Sequence, residues 1–326
     1  MTTTSHADWQ AWGLAVSVVV TEPGDSGRAT RIVTDVMAEV DEACSRFRPD
    51  SELSRLAEQL PGGAEVSPLL AELVSSALDA AEQTGGTVDP TLGLDLIALG
   101  YDRDFFLVAG AEKGAEKGAE QGASPSGGVS IMTARRPGWT RVLLDDRTLT
   151  VPADLMLDLG ATAKAWAADR AASRVASLLE VGALVSMGGD IATAGDLPAA
   201  GWEILVQDLP DDPFQRISLT AGAGIATSST QKRRWQKDGR ALHHILDPRY
   251  GMPVDPVWRS VTVASETCLR ANVLSTASIV RGFAAVAWLE GMNVSARFVD
   301  SVGRVVTTSG WPTPVHTDDG PRVGNE

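Results

Sequence analysis

One stretch of the sequence decides the fold: LDLGATAKAWAADRAASRVASLLEVGALVSMGGDI, residues 157–191. An aspartate ends an apolar run, Gly160 makes a tight connection, and an alanine-rich helix is predicted over residues 161–180. The apolar residues 183–187 are typical of a strand, and the Gly-Gly-Asp that follows them predicts a tight turn. A strand end, a helix and a further strand therefore follow one another closely.

Outward from this stretch, predicted strands and helices are interspersed without a strict βαβ rhythm. The clearest helices lie at residues 29–44, 67–84 and 269–289, and the clearest strands at 14–21, 260–264, 294–298 and 302–308. No GxGxxG follows a predicted strand and no GxxxxGK(S/T) occurs, so Rossmann and P-loop folds lack their fingerprints. We therefore predict an α+β fold with mixed or antiparallel sheets, built as one interlocked unit.

A low-complexity segment interrupts this pattern at residues 110–128, which read GAEKGAEKGAEQGASPSGG. A repeat of glycine and charged residues cannot bury a core, so this segment is interpreted as a flexible surface insertion. Flexible ends are predicted at residues 1–10 and 311–326. The rest, residues 11–310, is predicted to form one domain.

Composition limits the partners of the chain. Hydrophobic residues make up 44% and charged residues 21%, and the formal net charge is −14. This charge argues against sequence-independent binding of nucleic acid, and it means that an anionic ligand needs a local cationic site. The N-terminal segment has no secretory pattern, and the apolar runs are too short to span a bilayer. We expect a cytoplasmic protein with Cys44 and Cys268 reduced.

Asp158 and Lys164 flank the predicted helix start within residues 157–191. A helix N-terminus presents free N–H groups and the positive end of the helix dipole, which suits a phosphate. A lysine in the first turn is locally unfavourable, so Lys164 indicates either a ligand anion or a nearby carboxylate. A capping aspartate beside a solvated lysine is the structural alternative.

Two further polar clusters stay open between a functional and a structural role. Val88, Asp89 and Pro90 follow a Gly-Gly helix stop, where Asp-Pro is also ordinary turn chemistry. His243 and His244 precede an Asp-Pro-Arg turn and have no neighbouring motif typical of a zinc site. A histidine here is either a general base near neutral pH or a structural side chain that caps the turn.

Asn272 and Thr276 lie four residues apart in a predicted apolar helix and therefore share one face. Two side chains with oxygen atoms on one helix face can hold a hard cation such as Mg²⁺. A buried pair joined by hydrogen bonds is the alternative.

In order and spacing, these motifs resemble those of the ApbE family of FAD:protein FMN transferases. The matching stretches are SRFRPDSELSRL (45–56), GGTVDPTLG (85–93), LDLGATAKAWAAD (157–169), MGGDI (187–191), ATSS (226–229), HHILDPRYGMP (243–253) and ANVLSTA (271–277). They run in the family's order and span residues 12–308. Their combination is specific, since DLG, GGD and HILDPR seldom occur together.

The resemblance implies an enzyme that binds FAD and transfers its FMN half to a Thr or Ser hydroxyl of an acceptor flavoprotein, with Mg²⁺ and release of AMP. The FAD contacts that it implies are Trp12, Phe47, Val88, Asp89, Pro90, Asp158, Lys164 and Ile245. It assigns Mg²⁺ binding to the backbone carbonyl of Ala161 and to Asn272 and Thr276. His244 matches the residue best placed to be the general base.

Position 272 departs from the family, which usually has an aspartate there as a metal ligand. The amide oxygen of Asn272 can still coordinate a metal but carries no charge, so a weaker affinity for Mg²⁺ is expected. Two alternatives to the transferase therefore stay open. One is an FAD-binding protein with weak or no transferase activity, and the other is an FAD pyrophosphatase that yields FMN and AMP.

Overall fold

The computed structural model describes residues 4–103, 134–198 and 201–313. The low-complexity segment at 110–128 lies outside these ranges, as do residues 1–3 and 314–326 of the predicted flexible ends. Within the described residues, no helix is both long and apolar enough to cross a membrane.

A single antiparallel sheet of eight strands organises the fold. In chain order its strands are Ser5–Ala11 (β1), Leu14–Val20 (β2), Ala183–Met187 (β6), Asp190–Ala194 (β7), Gly224–Ser229 (β10), Trp258–Ser265 (β15), Ser295–Asp300 (β16) and Val305–Thr307 (β17). Neighbouring strands follow one another in that same order across the sheet. The order is simple because each strand pairs with the next sheet strand along the chain, and helices and hairpins fill the long connections.

Within the described ranges, smaller strands form four accessory sheets. They are Ala64–Glu65 (β3), Leu143–Asp145 (β4), Thr148–Thr150 (β5), Trp202–Val206 (β8), Gln215–Leu219 (β9), Arg234–Lys237 (β11), Arg240–His243 (β12), Leu246–Asp247 (β13) and Met252–Pro253 (β14). Three strands pair in the order β3-β5-β4, and the others form the pairs β8-β9, β11-β12 and β13-β14.

Seven α-helices lie among the described residues. They are Ser26–Cys44 (α1), Glu52–Leu56 (α2), Pro68–Thr84 (α3), Gly93–Ala98 (α4), Ala163–Leu179 (α5), Cys268–Arg281 (α6) and Ala284–Gly291 (α7), with 3₁₀ turns at Leu60–Gly62 and Trp139–Arg141. Helices α1, α5 and α6 pack against the central sheet. The many alanines of α5, such as Ala167, Ala168 and Ala171, allow this close approach because they are fully buried and small.

The main hydrophobic core lies between the central sheet and its helices. Along β2, Val16, Val18 and Val20 point into this core, as the period of two along a strand requires. The β8-β9 hairpin covers part of the opposite sheet face around Trp202. The predicted α+β fold with interspersed helices is therefore confirmed.

The predicted flexible N-terminus was wrong for residues 5–10, which belong to β1. This strand pairs with β2 through a two-residue turn at Trp12 and Gly13, whose φ angles are 52° and 67°. Such positive angles suit the tight turns that join antiparallel strands. The alternation of Ala7, Trp9 and Ala11 with polar residues was the signal for this strand.

Two other boundaries also differ from the prediction. The helix predicted over residues 269–289 is broken at Gly282, whose φ of 60° ends α6 before α7 begins. Trp311, assigned to the flexible tail, is buried, and its indole N–H donates to Gln215 Oε1 at 2.9 Å. Its indole packs in the small core beneath the β8-β9 hairpin. The polar residues that follow Trp311 in the sequence gave no sign of this contact.

Candidate functional site

A cavity of about 870 Å³, here called the main cavity, opens between the β1, β2 and β6 end of the central sheet and the first turn of α5. It contains most of the residues predicted for the site, namely Phe47, Val88, Asp89, Asp158, Ala161, Lys164, His244, Ile245, Asn272 and Thr276. An adjoining cavity of about 430 Å³ shares Phe47, Asp158 and Lys164 with it and is also lined by Trp12. Motifs far apart in the chain therefore meet at one place.

Lys164 lies in the first turn of α5 and forms an ion pair with Asp190, the first residue of β7. Asp190 is 1% exposed, and its other carboxylate oxygen accepts a hydrogen bond of 3.2 Å from Nδ2 of Asn272. Burial lowers the pKa of Lys164, and the nearby charge of Arg233 acts in the same direction. The nearby carboxylate expected from the sequence is present, and the alternative of a solvated lysine was wrong.

Asp158 stabilises the connection before α5 rather than capping the helix itself. One of its carboxylate oxygens accepts from Gly160 N at 2.7 Å, and the other accepts from Arg46 Nε. Among the described residues, no side chain caps the N-terminus of α5, whose N-cap residue is Thr162. The free N–H groups of that helix end therefore stay available to an anion.

Arg46 joins Asp158 to an aromatic cluster at the edge of the site. Its guanidinium lies 4.1 Å from the ring centre of Phe47 and 4.8 Å from that of Tyr101. The two rings are 5.5 Å apart and tilted by 54°. Phe47 and Tyr101 both line the main cavity, so this cluster presents an apolar, aromatic surface to a ligand.

Asp89 has a structural role as well as a place in the cavity wall. One carboxylate oxygen accepts from the N–H and hydroxyl of Thr91, at 2.9 and 2.6 Å, and the other accepts from Gly138 N at 3.2 Å. The Pro90 carbonyl accepts from Asp158 N at 2.8 Å. Pro90, predicted to contact FAD, lines neither cavity. Through this hydrogen bond it instead holds the backbone of Asp158 in place.

The two adjacent histidines have different environments. His243 is buried, and both ring nitrogens are used: Nε2 donates to the Val254 carbonyl at 3.0 Å, and Nδ1 accepts from Ile245 N at 3.3 Å. His244 lines the main cavity, and its buried Nδ1 has no hydrogen-bond partner among the described residues. His243 is thus the structural histidine and His244 the available one.

Burial also keeps the His244 imidazole neutral. It lowers the pKa of His244 well below the ordinary value of 6.5, and the charges of Arg233 and Lys164 act in the same direction. A neutral imidazole with a free ring nitrogen is the form that accepts a proton.

The predicted metal ligands all line the main cavity. Asn272 and Thr276 share a face of α6, and Ala161 lies in the connection before α5. Thr276 Oγ1 shares a hydrogen bond of 2.8 Å with Ser228 Oγ. The Asn272 Oδ1 atom is buried and has no hydrogen-bond partner among the described residues. This unpaired oxygen fits a cation, which would satisfy it without a hydrogen bond.

These metal candidates are neutral oxygen donors. No group of three or more His, Cys, Asp or Glu side chains able to hold a metal occurs within the described ranges. The nearest carboxylate to Asn272 is that of Asp190, which is already shared between Asn272 and Lys164. A cation here would rely on the negative charge of its ligand as well as on the protein.

Sequence reasoning missed three charged residues of the site: Arg46, Asp190 and Arg233. Asp190 follows a Gly-Gly turn and opens a buried strand, an unusual position for a carboxylate that does not bind a partner. Arg46 and Arg233 lie in motifs that also contain other basic residues. Only the folded structure shows that Arg46 and Arg233 line the cavities and that Asp190 forms an ion pair with Lys164.

The chain is similar to known proteins over most of its length. The sequence pattern described as the ApbE family matches residues 12–298. The FAD:protein FMN transferase of Escherichia coli (strain K12) is 27% identical over 275 residues, which cover 80% of this chain and 74% of that protein. The FAD:protein FMN transferase of Salmonella typhimurium is 29% identical over 268 residues, covering 79% and 73%.

Solved structures show the same fold. The crystal structure of the ApbE protein from Thermotoga maritima superposes with a TM-score of 0.77 at 26% identity, over 94% of this chain and 97% of that one. Because the family pattern extends over nearly all of the described domain and the structures agree, the chain belongs to the ApbE family.

Proposed function

We propose that this protein is an FAD:protein FMN transferase that works with Mg²⁺, transfers FMN to a Thr or Ser hydroxyl of an acceptor flavoprotein and releases AMP. The observation that carries the proposal is the convergence of ten residues, expected to contact FAD, Mg²⁺ or the acceptor hydroxyl, on the main cavity. The E. coli and Salmonella relatives named for this activity support it.

The cavity offers complementary surfaces to the two chemical parts of FAD. The free N–H groups at the start of α5 and the cation Lys164 suit the pyrophosphate. Phe47 and Tyr101 offer ring surfaces to a flat heterocycle. At about 870 Å³ the main cavity is within the range of ligand sites of roughly 300–1,000 Å³.

Asn272, Thr276 and Ala161 would hold Mg²⁺, and the unpaired Oδ1 of Asn272 is the atom that favours this assignment. When bound, the metal would neutralise charge on the pyrophosphate and polarise the phosphorus. Asp190 accepts from the Asn272 amide nitrogen, so the amide oxygen is the atom left for a cation.

His244 is the proposed general base. Its free Nδ1 accepts the proton of the acceptor hydroxyl as that oxygen forms a bond to the phosphorus of the FMN half. The bond between this phosphorus and the bridging oxygen breaks, and AMP leaves with that oxygen. Lys164 and the N-terminus of α5 stabilise the charge that develops on the phosphates.

The test is an incubation of the protein with FAD, MgCl₂ and a panel of candidate acceptor flavoproteins. Chromatography measures AMP, and intact-mass spectrometry measures the addition of FMN to each acceptor. AMP together with an FMN adduct supports the transferase. AMP without any adduct indicates the pyrophosphatase, and intact bound FAD without AMP indicates a binding protein.

A further inference from the structure

The cations around the two cavities differ in whether a carboxylate neutralises them. The cations that line the cavities are Arg46, Arg48, Lys164, Lys232 and Arg233. Four of them form ion pairs, namely Arg46 with Asp158, Arg48 with Asp41 and Asp50, Lys164 with Asp190 and Lys232 with Asp208. Arg233 has no carboxylate partner within the part of the chain that the structure describes.

Arg233 lies where the two cavities meet. It lines both of them, and it directly precedes β11 in the segment between the Ser-rich end of β10 and the β11-β12 hairpin. Its charge reaches Lys164 and His244, because it lowers the pKa of each. The residue is half-buried, so its charge is only partly hydrated.

An uncompensated, partly buried cation is costly unless a ligand supplies the opposite charge. Lys164 already has a counter-ion in the carboxylate of Asp190. The net charge of the protein is −14, so a dianionic ligand would be repelled from most of its surface. Arg233 is thus the cavity-lining cation whose charge no carboxylate among the described residues neutralises.

We propose that Arg233 binds the pyrophosphate of FAD and gives the site its selectivity for phosphorylated ligands over the bare flavin. The proposal rests on the proposed function, since it concerns the same cavity. The planar guanidinium can donate two parallel hydrogen bonds to phosphate oxygens, a geometry that a lysine cannot provide.

Arg234 provides a matched control. It follows directly in the chain but is exposed, and its guanidinium donates to Gln231 Oε1 at 3.2 Å. It does not line either cavity. Removing its charge changes the protein's net charge by the same amount without changing the proposed site.

The experiment measures equilibrium dissociation constants by fluorescence or calorimetry for the unaltered protein, Arg233→Gln, Arg233→Lys and Arg234→Gln. Three probes are used: FAD, ADP, which carries a pyrophosphate but no flavin, and riboflavin, which carries a flavin but no phosphate. For Arg233→Gln we expect the affinity for FAD and ADP to fall roughly tenfold or more, the scale of a lost charge-assisted contact. Riboflavin affinity should stay within about twofold, Arg233→Lys should retain part of the affinity, and Arg234→Gln should match the unaltered protein.

Thermal unfolding of each variant checks whether the fold is retained. Unchanged affinity of Arg233→Gln for FAD and ADP would overturn this inference, and so would an equal loss of affinity for riboflavin. In either case, FAD binding and transfer by the unaltered protein would still support the proposed function. If the unaltered protein does not bind FAD, the proposed function fails, and this inference fails with it.

Discussion

Substituting Asn272→Asp should produce a protein whose stability depends on Mg²⁺. In the structure, Nδ2 of Asn272 donates to Asp190 Oδ1 at 3.2 Å. An aspartate at 272 would replace this donor with a second carboxylate, in contact with a carboxylate that is 1% exposed. The substitution to the aspartate that the family resemblance led us to expect therefore creates a like-charge contact, which a bound cation relieves.

The size of the effect follows from the geometry. Two unit charges separated by the present contact distance of 3.2 Å repel by about 5 kcal/mol at an effective dielectric constant of about 20. One of the two carboxyl groups can instead bind a proton, which removes the repulsion. At neutral pH this protonation costs about 4 kcal/mol, so the penalty cannot exceed about that value. Lys164 offsets part of it. We expect a loss of roughly 2–4 kcal/mol in the free energy of unfolding without metal.

Thermal or urea unfolding over a series of Mg²⁺ concentrations tests this prediction. Mg²⁺ should restore about 2.7 kcal/mol to Asn272→Asp at a hundredfold excess over its dissociation constant, and should stabilise the unaltered protein less at the same concentration. Asn293→Asp adds the same charge at an exposed position and serves as the control. The reasoning is refuted if Asn272→Asp is as stable as the unaltered protein without Mg²⁺, or if both gain equally from the metal.

Three further predictions concern stability and pH. Lys164→Ala should cost about 3–5 kcal/mol in the free energy of unfolding and lower FAD affinity about tenfold, because the buried carboxylate of Asp190 loses its counter-ion. Arg174→Ala is the control: it breaks an exposed ion pair and should cost at most about 1 kcal/mol by chemical denaturation. Because burial lowers the pKa of His244, the imidazole stays neutral as pH falls through 6.5, and transfer should be lost only at more acidic pH. A pH profile in which kcat/KM falls at 6.5 would contradict the assignment of His244 as the general base. Gly224→Ala would place a Cβ 2.1 Å from a backbone nitrogen of α6 and should cost about 1–3 kcal/mol or more by thermal unfolding, whereas Gly27→Ala meets open space and should cost little.

Much of the architecture followed from local patterns in the sequence. The helix that begins at Ala163 and the strand Ala183–Met187 were predicted because an alanine-rich segment, a short apolar run and the glycines beside them gave consistent assignments there. Strand β1 was missed because its polar and apolar residues alternate near the first residue, where a polar sequence resembles a flexible tail. Its pairing with β2 is visible only in the structure. The break at Gly282 was missed because apolar residues continue on both sides of it.

The site was predictable as a set of residues but not as a network. The motifs around Asp158, His244 and Asn272 were found by their residue types and order, and the structure places all three in the main cavity. Their partners could not be predicted, because Asp190 reaches Lys164 and Asn272 only through the pairing of β7 with β6 and β10 and the packing of α6. The different roles of two adjacent histidines likewise depend on which ring nitrogens find partners after folding.

Comparing the unaltered protein with His244→Ala in the transfer reaction tests the central claim most directly. Each protein is first titrated with FAD, so that the comparison is made at equal occupancy, and is then incubated with MgCl₂ and an acceptor flavoprotein that the unaltered protein modifies. The predicted result is an acceptor heavier by one FMN, formed roughly 10²–10⁴ times more slowly by His244→Ala. Equal rates from both proteins, or FAD binding without modification of any acceptor in the panel, would contradict the account.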